Sequence, residues 1–309
     1  MSDLRPNLHQ PLPLDRIEDH PIAVQAGLQH LGQPQAEPTP QGRTGRWAVW
    51  VLRCLAGAGV LIHAVVAVLN LAGSDDPDKR AVVGLGLGLI IIWCVLGGLA
   101  MCLGRDRLVA GAKRVKVNWR VKFVCLCILL ALLEEAVTTA LTNAAPLLGA
   151  VSPEARITSS ANYLQVVLGR VVNGEYQAGS VVAFVPWMLC WAWLLGRWDF
   201  RPAEVMLLFG LTGTLAETVT FGPQNLVGAA MWVYVYGLMV YLPAWTVPQD
   251  RPTRPPRWYH WPLAVCLPLV FVIPLAAYLL WAVIRQGIRL CVPKTPSGVC
   301  KASNGCRRP

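Results

Sequence analysis

The sequence predicts an all-α fold, a polytopic bundle of about seven membrane-spanning helices, and three observations support that class. Hydrophobic residues make up 55% of the 309 positions and charged residues only 14%, which is more apolar than an ordinary soluble domain. The apolar residues lie in long continuous runs separated by polar stretches. These runs do not alternate as barrel strands would, so membrane helices are favoured over a β-barrel.

The predicted spans follow from length, because a helix needs about 20 apolar residues to cross the hydrocarbon core of a bilayer. The runs that qualify are residues 47–72, 81–104, 121–149, 180–196, 203–222, 226–247 and 262–284. Residues 1–46 are polar and rich in proline, which indicates a disordered cytosolic tail. Residues 285–309 form a basic tail that contains cysteine. We therefore expect one transmembrane domain, residues 47–284, between two tails.

The distribution of Lys and Arg predicts the orientation of these spans. The loop after the second span carries the densest basic cluster of the chain, with a single Asp among its cations. Cytosolic loops of membrane proteins are enriched in Lys and Arg, so this loop and the N-terminus are expected to be cytosolic. Seven spans would then place the basic tail 285–309 outside, against the same rule. The outer loop, residues 150–179, contains the apolar stretch "YLQVVLGRVV", which predicts an interfacial helix or a partial lid.

The basic residues give a formal charge of +10, but they are scattered over loops and a tail, as topology signals are. Nucleic-acid binding is therefore not expected. The expected partners are membrane lipids and either a small solute or a lipid-like substrate, in a bacterial inner membrane or a plasma membrane. The sequence is compatible with an oligomer and leaves the cofactor unknown.

A short polar pattern occurs twice within the apolar runs. Glu135-x-Val137-Thr138 is followed by Asn143, and Glu217-x-Val219-Thr220 is followed at the same spacing by Asn225. Ionisable residues at membrane depth are costly, so they are rare and usually face protein or water. The repeated carboxylate, hydroxyl and amide therefore favour a polar functional seam.

Depth and helical spacing extend this seam to neighbouring residues. Glu135 lies thirteen residues beyond Lys122, and Glu217 lies thirteen beyond Glu204, so each is about 20 Å from the cytosolic end of its helix. His63 is about 24 Å deep by the same rise. Positions three, four and seven apart share a helix face. The candidate ion- or substrate-binding residues are Glu134, Glu135, Thr138, Thr142, Asn143, Glu217, Thr220, Asn225 and His63. We expect Glu135 and Glu217 to approach each other within one cavity.

The Glu134-Glu135 pair is similar to the first motif of the CAAX-type intramembrane proteases, Glu-Glu-x-x-x-Arg. Thr139 stands at the Arg position, and the Phe-x-x-x-His and His-x-x-x-Asn motifs of that family do not occur in this sequence. The likeness covers two residues and assigns no family.

The sequence favours proton- or cation-coupled transport of a small solute, with the glutamates and threonines lining a polar cavity between two parallel repeats. An intramembrane enzyme is the alternative, in which Glu135, Glu217 and Glu134 perform acid and base chemistry on a lipid or isoprenoid. A metal site of His63, Glu135 and Glu217 is chemically allowed, but no His-rich signature supports it. A third reading is a structural or assembly subunit, since polar groups in membrane helices often serve packing.

The predicted topology is testable by cysteine labelling in a cysteine-free background. A cysteine at Ala110 should react only with a reagent that reaches the cytosol, because the basic loop is retained inside. A cysteine in the outer loop should react from outside. Labelling of position 110 from outside would contradict the topology.

Overall fold

The computed structural model describes residues 43–172 and 175–270. The chain divides into a unit of residues 1–46 and a unit of residues 47–309, and the architecture below is that of the second unit. Its described part is mostly helical, as the sequence predicts. The two predicted tails, 1–46 and 285–309, lie almost entirely outside the described residues.

The helices and strands follow one another with short connections. They are α1 (Arg43–Gly73), α2 (Pro77–Leu89), a π-helical segment (Ile90–Gly97), α3 (Gly98–Arg114), α4 (Trp119–Asn143), a 3-10 turn (Ala145–Leu148), α5 (Tyr163–Leu168), β1 (Gly169–Val172), β2 (Glu175–Ala178), α6 (Ser180–Leu195), α7 (Pro202–Phe221), a second 3-10 turn (Pro223–Leu226), α8 (Ala229–Trp245) and α9 (His260–Leu269).

Three helical stretches are long and apolar enough to cross a membrane: Gly45–Asn70, Pro77–Arg114 and Trp119–Asn143. They indicate a membrane protein. The helices α6, α8 and α9 are apolar but shorter, and the predicted last span beyond Leu269 lies outside the described residues. The full count of seven spans therefore stays a prediction.

Two predicted spans have different ends in the structure. The second span was expected to end at residue 104, but the helix continues through α3 to Arg114, so much of the predicted basic loop is helical. The third span was expected to reach residue 149, but α4 ends at Asn143. Pro146 stands at the start of the 3-10 turn, and Gly149 follows it with a φ of 88°, so the α-helical hydrogen-bond pattern stops before both.

The outer segment, residues 150–179, folds onto the membrane helices. Its helical part is limited to Tyr163–Leu168, because Gly169 has a φ of 101° and begins an antiparallel hairpin of β1 and β2. A side chain at Gly169 would clash with the backbone of Gln177, so glycine is needed there. The hydroxyl of Tyr163 donates to the Leu132 carbonyl of α4 at 3.0 Å, which ties this cover to the bundle.

The ends that the sequence assigns to the cytosolic side lie together in the structure. The rings of Trp47 on α1 and Trp261 on α9 are 4.8 Å apart. The guanidinium of Arg105 on α3 lies 4.5 Å over the ring of Trp245 on α8. Arg251, in the loop before α9, pairs with Asp199 of the loop before α7 at 3.2 Å.

The opposite ends of the helices are joined by separate contacts. Asp78, in the first turn of α2, accepts hydrogen bonds from the backbone N–H groups of Val151 at 2.8 Å and Ser152 at 3.1 Å. Asp76 caps the same helix, and the backbone N–H of Lys79 lowers the pKa of this exposed carboxyl. The first turn of α2 is therefore hydrogen-bonded to the segment that follows α4.

The closest helix pair is α7 with α8, and glycine allows the approach. A Cβ atom at Gly210 would lie 2.2 Å from the carbonyl oxygen of Val233, and one at Gly213 would lie 2.2 Å from the ring of Tyr236. On α8, a Cβ atom at Gly237 would lie 2.7 Å from the Met206 carbonyl. Small residues of this kind let membrane helices pack backbone to backbone. The pair carries most of the buried core, together with the inner faces of α4 and α6.

We expect Gly213→Ala to lower the thermal stability of the purified protein, because its methyl group would force the Tyr236 ring out of place. Overpacking of this kind typically costs about 1–3 kcal/mol. The measurement is thermal unfolding in detergent. Gly57→Ala is the matched control, since no atom lies within 4 Å of its added Cβ. Equal melting temperatures for the two variants would show that this contact does not limit the packing.

Candidate functional site

The predicted glutamates of α4 lie inside the bundle. Glu134 is 5% exposed and Glu135 is 7% exposed. The Thr138 hydroxyl lies one helical turn away, 3.3 Å from a carboxyl oxygen of Glu135 and 3.2 Å from the backbone carbonyls of Glu134 and Glu135. This is the geometry that the three-residue spacing predicts for a hydroxyl beside a carboxyl.

The predicted glutamate of α7, Glu217, is half-buried and hydrogen-bonded to a residue of α8. The donor is the hydroxyl of Tyr236, which is itself 6% exposed. The ring of Tyr236 lies against Gly213, one turn before Glu217 on α7. Gly213 therefore leaves room for the ring of Tyr236, and the position of this ring allows its hydroxyl to donate to the carboxyl of Glu217.

The glutamates of α4 and α7 lie within electrostatic range of one another. Glu134 interacts electrostatically with both Glu135 and Glu217, and Glu135 also interacts with Glu217. Tyr236 interacts with all three. We call these four residues the carboxyl cluster. The equal depth of Glu135 and Glu217, and their approach within one cavity, stay predictions from the sequence.

Two further groups border the carboxyl cluster. The hydroxyl of Ser180, at the start of α6, interacts with Glu135 and lies 3.1 Å from the Val166 carbonyl of the outer segment. Cys94, in the π-helical segment, interacts electrostatically with Glu134. The indole of Trp93 anchors that segment to α8 by donating to the Val235 carbonyl at 3.1 Å. π-Helical turns within longer helices are frequent at functional sites.

None of the three clustered glutamates forms an ion pair with a described residue. The salt bridges in residues 43–172 and 175–270 involve Asp75, Asp76, Asp106, Glu154 and Asp199 but none of the three clustered glutamates. In the same ranges, no group of His, Cys, Asp and Glu side chains has an arrangement that could hold a metal ion. The hydrogen bonds that the structure shows to the carboxyls of Glu135 and Glu217 come from the hydroxyl groups of Thr138 and Tyr236.

Other predicted site residues serve the outer end of α4. Thr142 forms a hydroxyl pair with Thr158 at 3.0 Å. Asn143 donates to the Thr139 carbonyl at 2.9 Å and to the Ala161 carbonyl at 3.0 Å. Both side chains thus hold the outer segment against the helix, and neither contact includes a clustered glutamate.

The second copy of the repeat behaves differently from the first. Asn225 donates to the Gly222 carbonyl at 3.3 Å and stabilises the 3-10 turn after α7. Thr220 is half-buried, and the hydroxyl bonded to Glu217 comes from Tyr236 instead. The repeated sequence therefore places one carboxyl on each of two helices, but their burial and their hydroxyl partners differ.

In the described residues, no hydrogen bond or salt bridge joins His63 to the carboxyl cluster. Its Nδ1 is 2.8 Å from the Gly59 carbonyl of its own helix, and the ring is half-buried. Val66 and Asn70 on the same stripe line an open groove of about 460 Å³ beside α2 and the loop after α4. His63 therefore shares its helix face with a groove and not with the glutamates.

Sequence reasoning missed Tyr236, Ser180 and Cys94. Tyr236 was visible as one of several tyrosines in the sixth apolar run. A Tyr in such a run is equally typical of an aromatic belt, so its spacing alone did not indicate a carboxyl partner.

No known protein family, curated protein or solved structure matches this chain. The argument for function therefore depends on the carboxyl cluster and its surroundings.

We expect Tyr236→Phe to lower the melting temperature, because it leaves a carboxyl oxygen of Glu217 without its donor. An unsatisfied buried polar group costs about 1–3 kcal/mol. Tyr259→Phe removes a hydroxyl from a ring that is 42% exposed and serves as the control. If both variants have the melting temperature of the parent protein, the hydrogen bond to Glu217 does not stabilise the fold.

Proposed function

We propose that this protein is a multi-pass membrane transporter in which the carboxyl cluster binds protons or a small cation and couples their movement to that of a small solute. The observation that carries the proposal is that Glu134 and Glu135 are buried on α4, while Glu217 of α7 accepts a hydrogen bond from Tyr236 of α8, the helix that packs against both α4 and α7. None of the three glutamates forms a salt bridge in the described ranges.

Charge explains why such a cluster suits ion binding. Carboxylates that share a site repel each other, and burying an uncompensated charge is costly. The cluster is therefore stable only when protons or a bound cation neutralise it. If the site is stable only with a bound proton or cation, loss of that ion shifts the protein toward a different conformation. Such a shift is what couples ion movement to solute movement.

The three carboxyls differ in their access to the surroundings. Glu134 and Glu135 are buried, whereas Glu217 is half-buried at the edge of the cluster. An ion that enters at Glu217 would pass to Glu134 and Glu135 within the same electrostatic unit. Tyr236 links the two parts, because a hydroxyl can both donate and accept a hydrogen bond.

The topology proposed for this transporter has seven spans, with the N-terminus and the basic end of α3 in the cytosol. Contacts between helix ends support it, since Trp47 lies beside Trp261 and Arg105 beside Trp245. All four residues belong to ends that the alternation of spans assigns to the same side. The polar contacts of Asp78 and Thr142 join the ends assigned to the other side.

The test compares glutamine variants of the cluster in proteoliposomes. Gln keeps the shape and hydrogen-bonding capacity of a neutral glutamic acid but cannot ionise. Glu135→Gln and Glu217→Gln should each leave the melting temperature nearly unchanged and abolish dissipation of an imposed pH gradient. A trapped pH-sensitive dye follows the gradient, with the small-molecule fraction of a cell extract supplied outside as a source of solute.

Glu154→Gln is the matched control, because this carboxyl pairs with Arg156 on the exposed outer loop. It should dissipate the gradient at the parental rate. Alanine at Glu135 or Glu217 should destabilise the protein more than glutamine, since it leaves the hydroxyl partners unpaired. Full proton flux in both glutamine variants would mean that the glutamates are packing residues, as in a structural subunit.

An intramembrane enzyme is the second candidate, and the unequal burial of Glu135 and Glu217 favours it. Two carboxyls in different environments can divide the roles of acid and base. Such an enzyme should convert a lipid or isoprenoid when it is reconstituted with a total lipid extract, and mass spectrometry would detect the product. The enzyme would be favoured over the transporter by two results together. The parent protein would show no proton flux, and the product formed by the parent would be absent with Glu217→Gln.

A further inference from the structure

A cluster of positive charge surrounds the junction between α3 and α4, and the carboxyl cluster does not use it. Its members are Arg105, Arg107, Lys113, Arg114, Lys116, Arg120 and Lys122, with Asp106 as the only acidic residue in the stretch. We call this stretch, residues 105–122, the basic hairpin. Some of its cations form contacts within the protein, and the others lie exposed without such contacts.

Three of the cations are engaged within the protein. Arg105 pairs with Asp106 at 2.8 Å and lies over Trp245. The Lys122 amine donates to the carbonyls of Ala112 and Val115, both at 3.2 Å. Arg120 packs against Gly196 at the end of α6, where an added Cβ atom would lie 2.6 Å from its guanidinium. These contacts fix the shape of the basic hairpin.

Four cations remain on the surface, namely Arg107, Lys113, Arg114 and Lys116. In the described part of the chain, none of them takes part in a hydrogen bond, a salt bridge or a cation–π contact that the structure shows. Exposed apolar side chains stand between them: Leu108 is 54% exposed, Val115 is 52% exposed and Val117 is 48% exposed. The surface therefore alternates positive and apolar groups.

The contacts of Lys122 place this surface at the level of the membrane boundary. The helix from Pro77 to Arg114 has 38 residues and is about 57 Å long at 1.5 Å per residue. A hydrocarbon core is about 30 Å thick, so part of this helix lies beyond it. Lys122 holds the end of α3 beside the start of α4, where the next apolar run begins. We therefore expect the free cations to lie at headgroup depth, beside the start of the apolar run of α4.

We propose that the basic hairpin is a binding surface for anionic phospholipid headgroups of the cytosolic leaflet. Lys and Arg next to a membrane-spanning helix are attracted to anionic lipid, and apolar side chains between them insert at the headgroup boundary. A soluble polyanion would pair with the cations but would leave Leu108, Val115 and Val117 in water. This inference rests on the membrane location in the proposed function and does not depend on the carboxyl cluster.

The test measures lipid preference of the full-length protein in nanodiscs made of phosphatidylcholine with a minor fraction of phosphatidylglycerol. Native mass spectrometry counts the lipids that stay bound when the nanodisc is stripped. The parent should retain phosphatidylglycerol in preference to phosphatidylcholine, and the preference should fall as salt is raised. The combined variant Arg107→Gln, Lys113→Gln, Arg114→Gln and Lys116→Gln should reduce the preference about tenfold or more.

A control variant carries the same loss of charge at the other end of the helices: Lys79→Gln, Arg80→Gln, Arg156→Gln and Arg170→Gln. It should keep the parental preference. The charge-conserving variant Arg107→Lys, Lys113→Arg, Arg114→Lys and Lys116→Arg should keep it too. If the quadruple glutamine variant does not fold, Lys113→Gln with Lys116→Gln should still reduce the preference several-fold, and no reduction there would overturn the proposal.

Equal retention of phosphatidylglycerol by the two glutamine sets would also overturn the proposal, because position would then not matter. Excess glycerol phosphate tests the source of the anion and should not displace the lipid; displacement would mean that the hairpin binds free phosphates. Glu135→Gln should keep the lipid preference whatever it does to proton flux. Failure of the transport proposal and failure of this one are therefore distinguishable.

Discussion

The close contact between α7 and α8 is the constraint on which the rest of the described structure depends. Gly210 and Gly213 remove the side chains that would hold these helices apart, and Gly237 does the same from the other side. Between membrane helices, lipid is as apolar as the protein, so close packing and hydrogen bonds replace the hydrophobic effect as the source of association. Because Gly213 has no side chain, the ring of Tyr236 can lie flat beside α7 and direct its hydroxyl to Glu217.

That contact also sets the geometry of the carboxyl cluster. With Glu217 held by Tyr236, α4 supplies Glu134 and Glu135 from the facing side, and Thr138 adds a hydroxyl to Glu135. The cluster therefore combines strong mutual repulsion of carboxylates with hydroxyl partners that suit either protonation state. Ion binding is the simplest way for such a group to become neutral, and this is the physical basis for the proposed coupling.

The two ends of the helices have different chemistry. One end carries aromatic rings and cations, such as Trp47, Trp261 and Arg105, that suit a headgroup region. At the other end, Asp78 accepts a hydrogen bond from the outer segment, Asn143 donates one to it, and Thr142 pairs with a hydroxyl of it. This asymmetry is consistent with the lipid surface proposed for the basic hairpin, while at the other end Ser180 of α6 donates to the Val166 carbonyl of the outer segment.

The sequence by itself determined the helical class, the positions of most helices and the presence of carboxyls at one depth. Continuous apolar length dictates a helix in lipid, since every backbone group must be bonded within its own segment, and a rise of 1.5 Å per residue converts sequence position into depth. The three glutamates were identifiable because an ionisable residue in an apolar run is costly to place in lipid and usually faces protein or water instead. The end of α4 could be anticipated less well, because an apolar run does not reveal where its helix stops.

Only the tertiary structure decided which polar groups meet. Apolar runs look alike on every face, so periodicity cannot tell which helix neighbours which, and small residues at the contacts make that choice through shape. For this reason Tyr236 went unrecognised as the partner of Glu217, and Thr142 and Asn143 were assigned to the site although they hold the outer segment. The contact that the structure shows for His63 is with the Gly59 carbonyl of its own helix, because depth along one helix can be derived from the helical rise, whereas a contact with the cluster requires two segments to pack together.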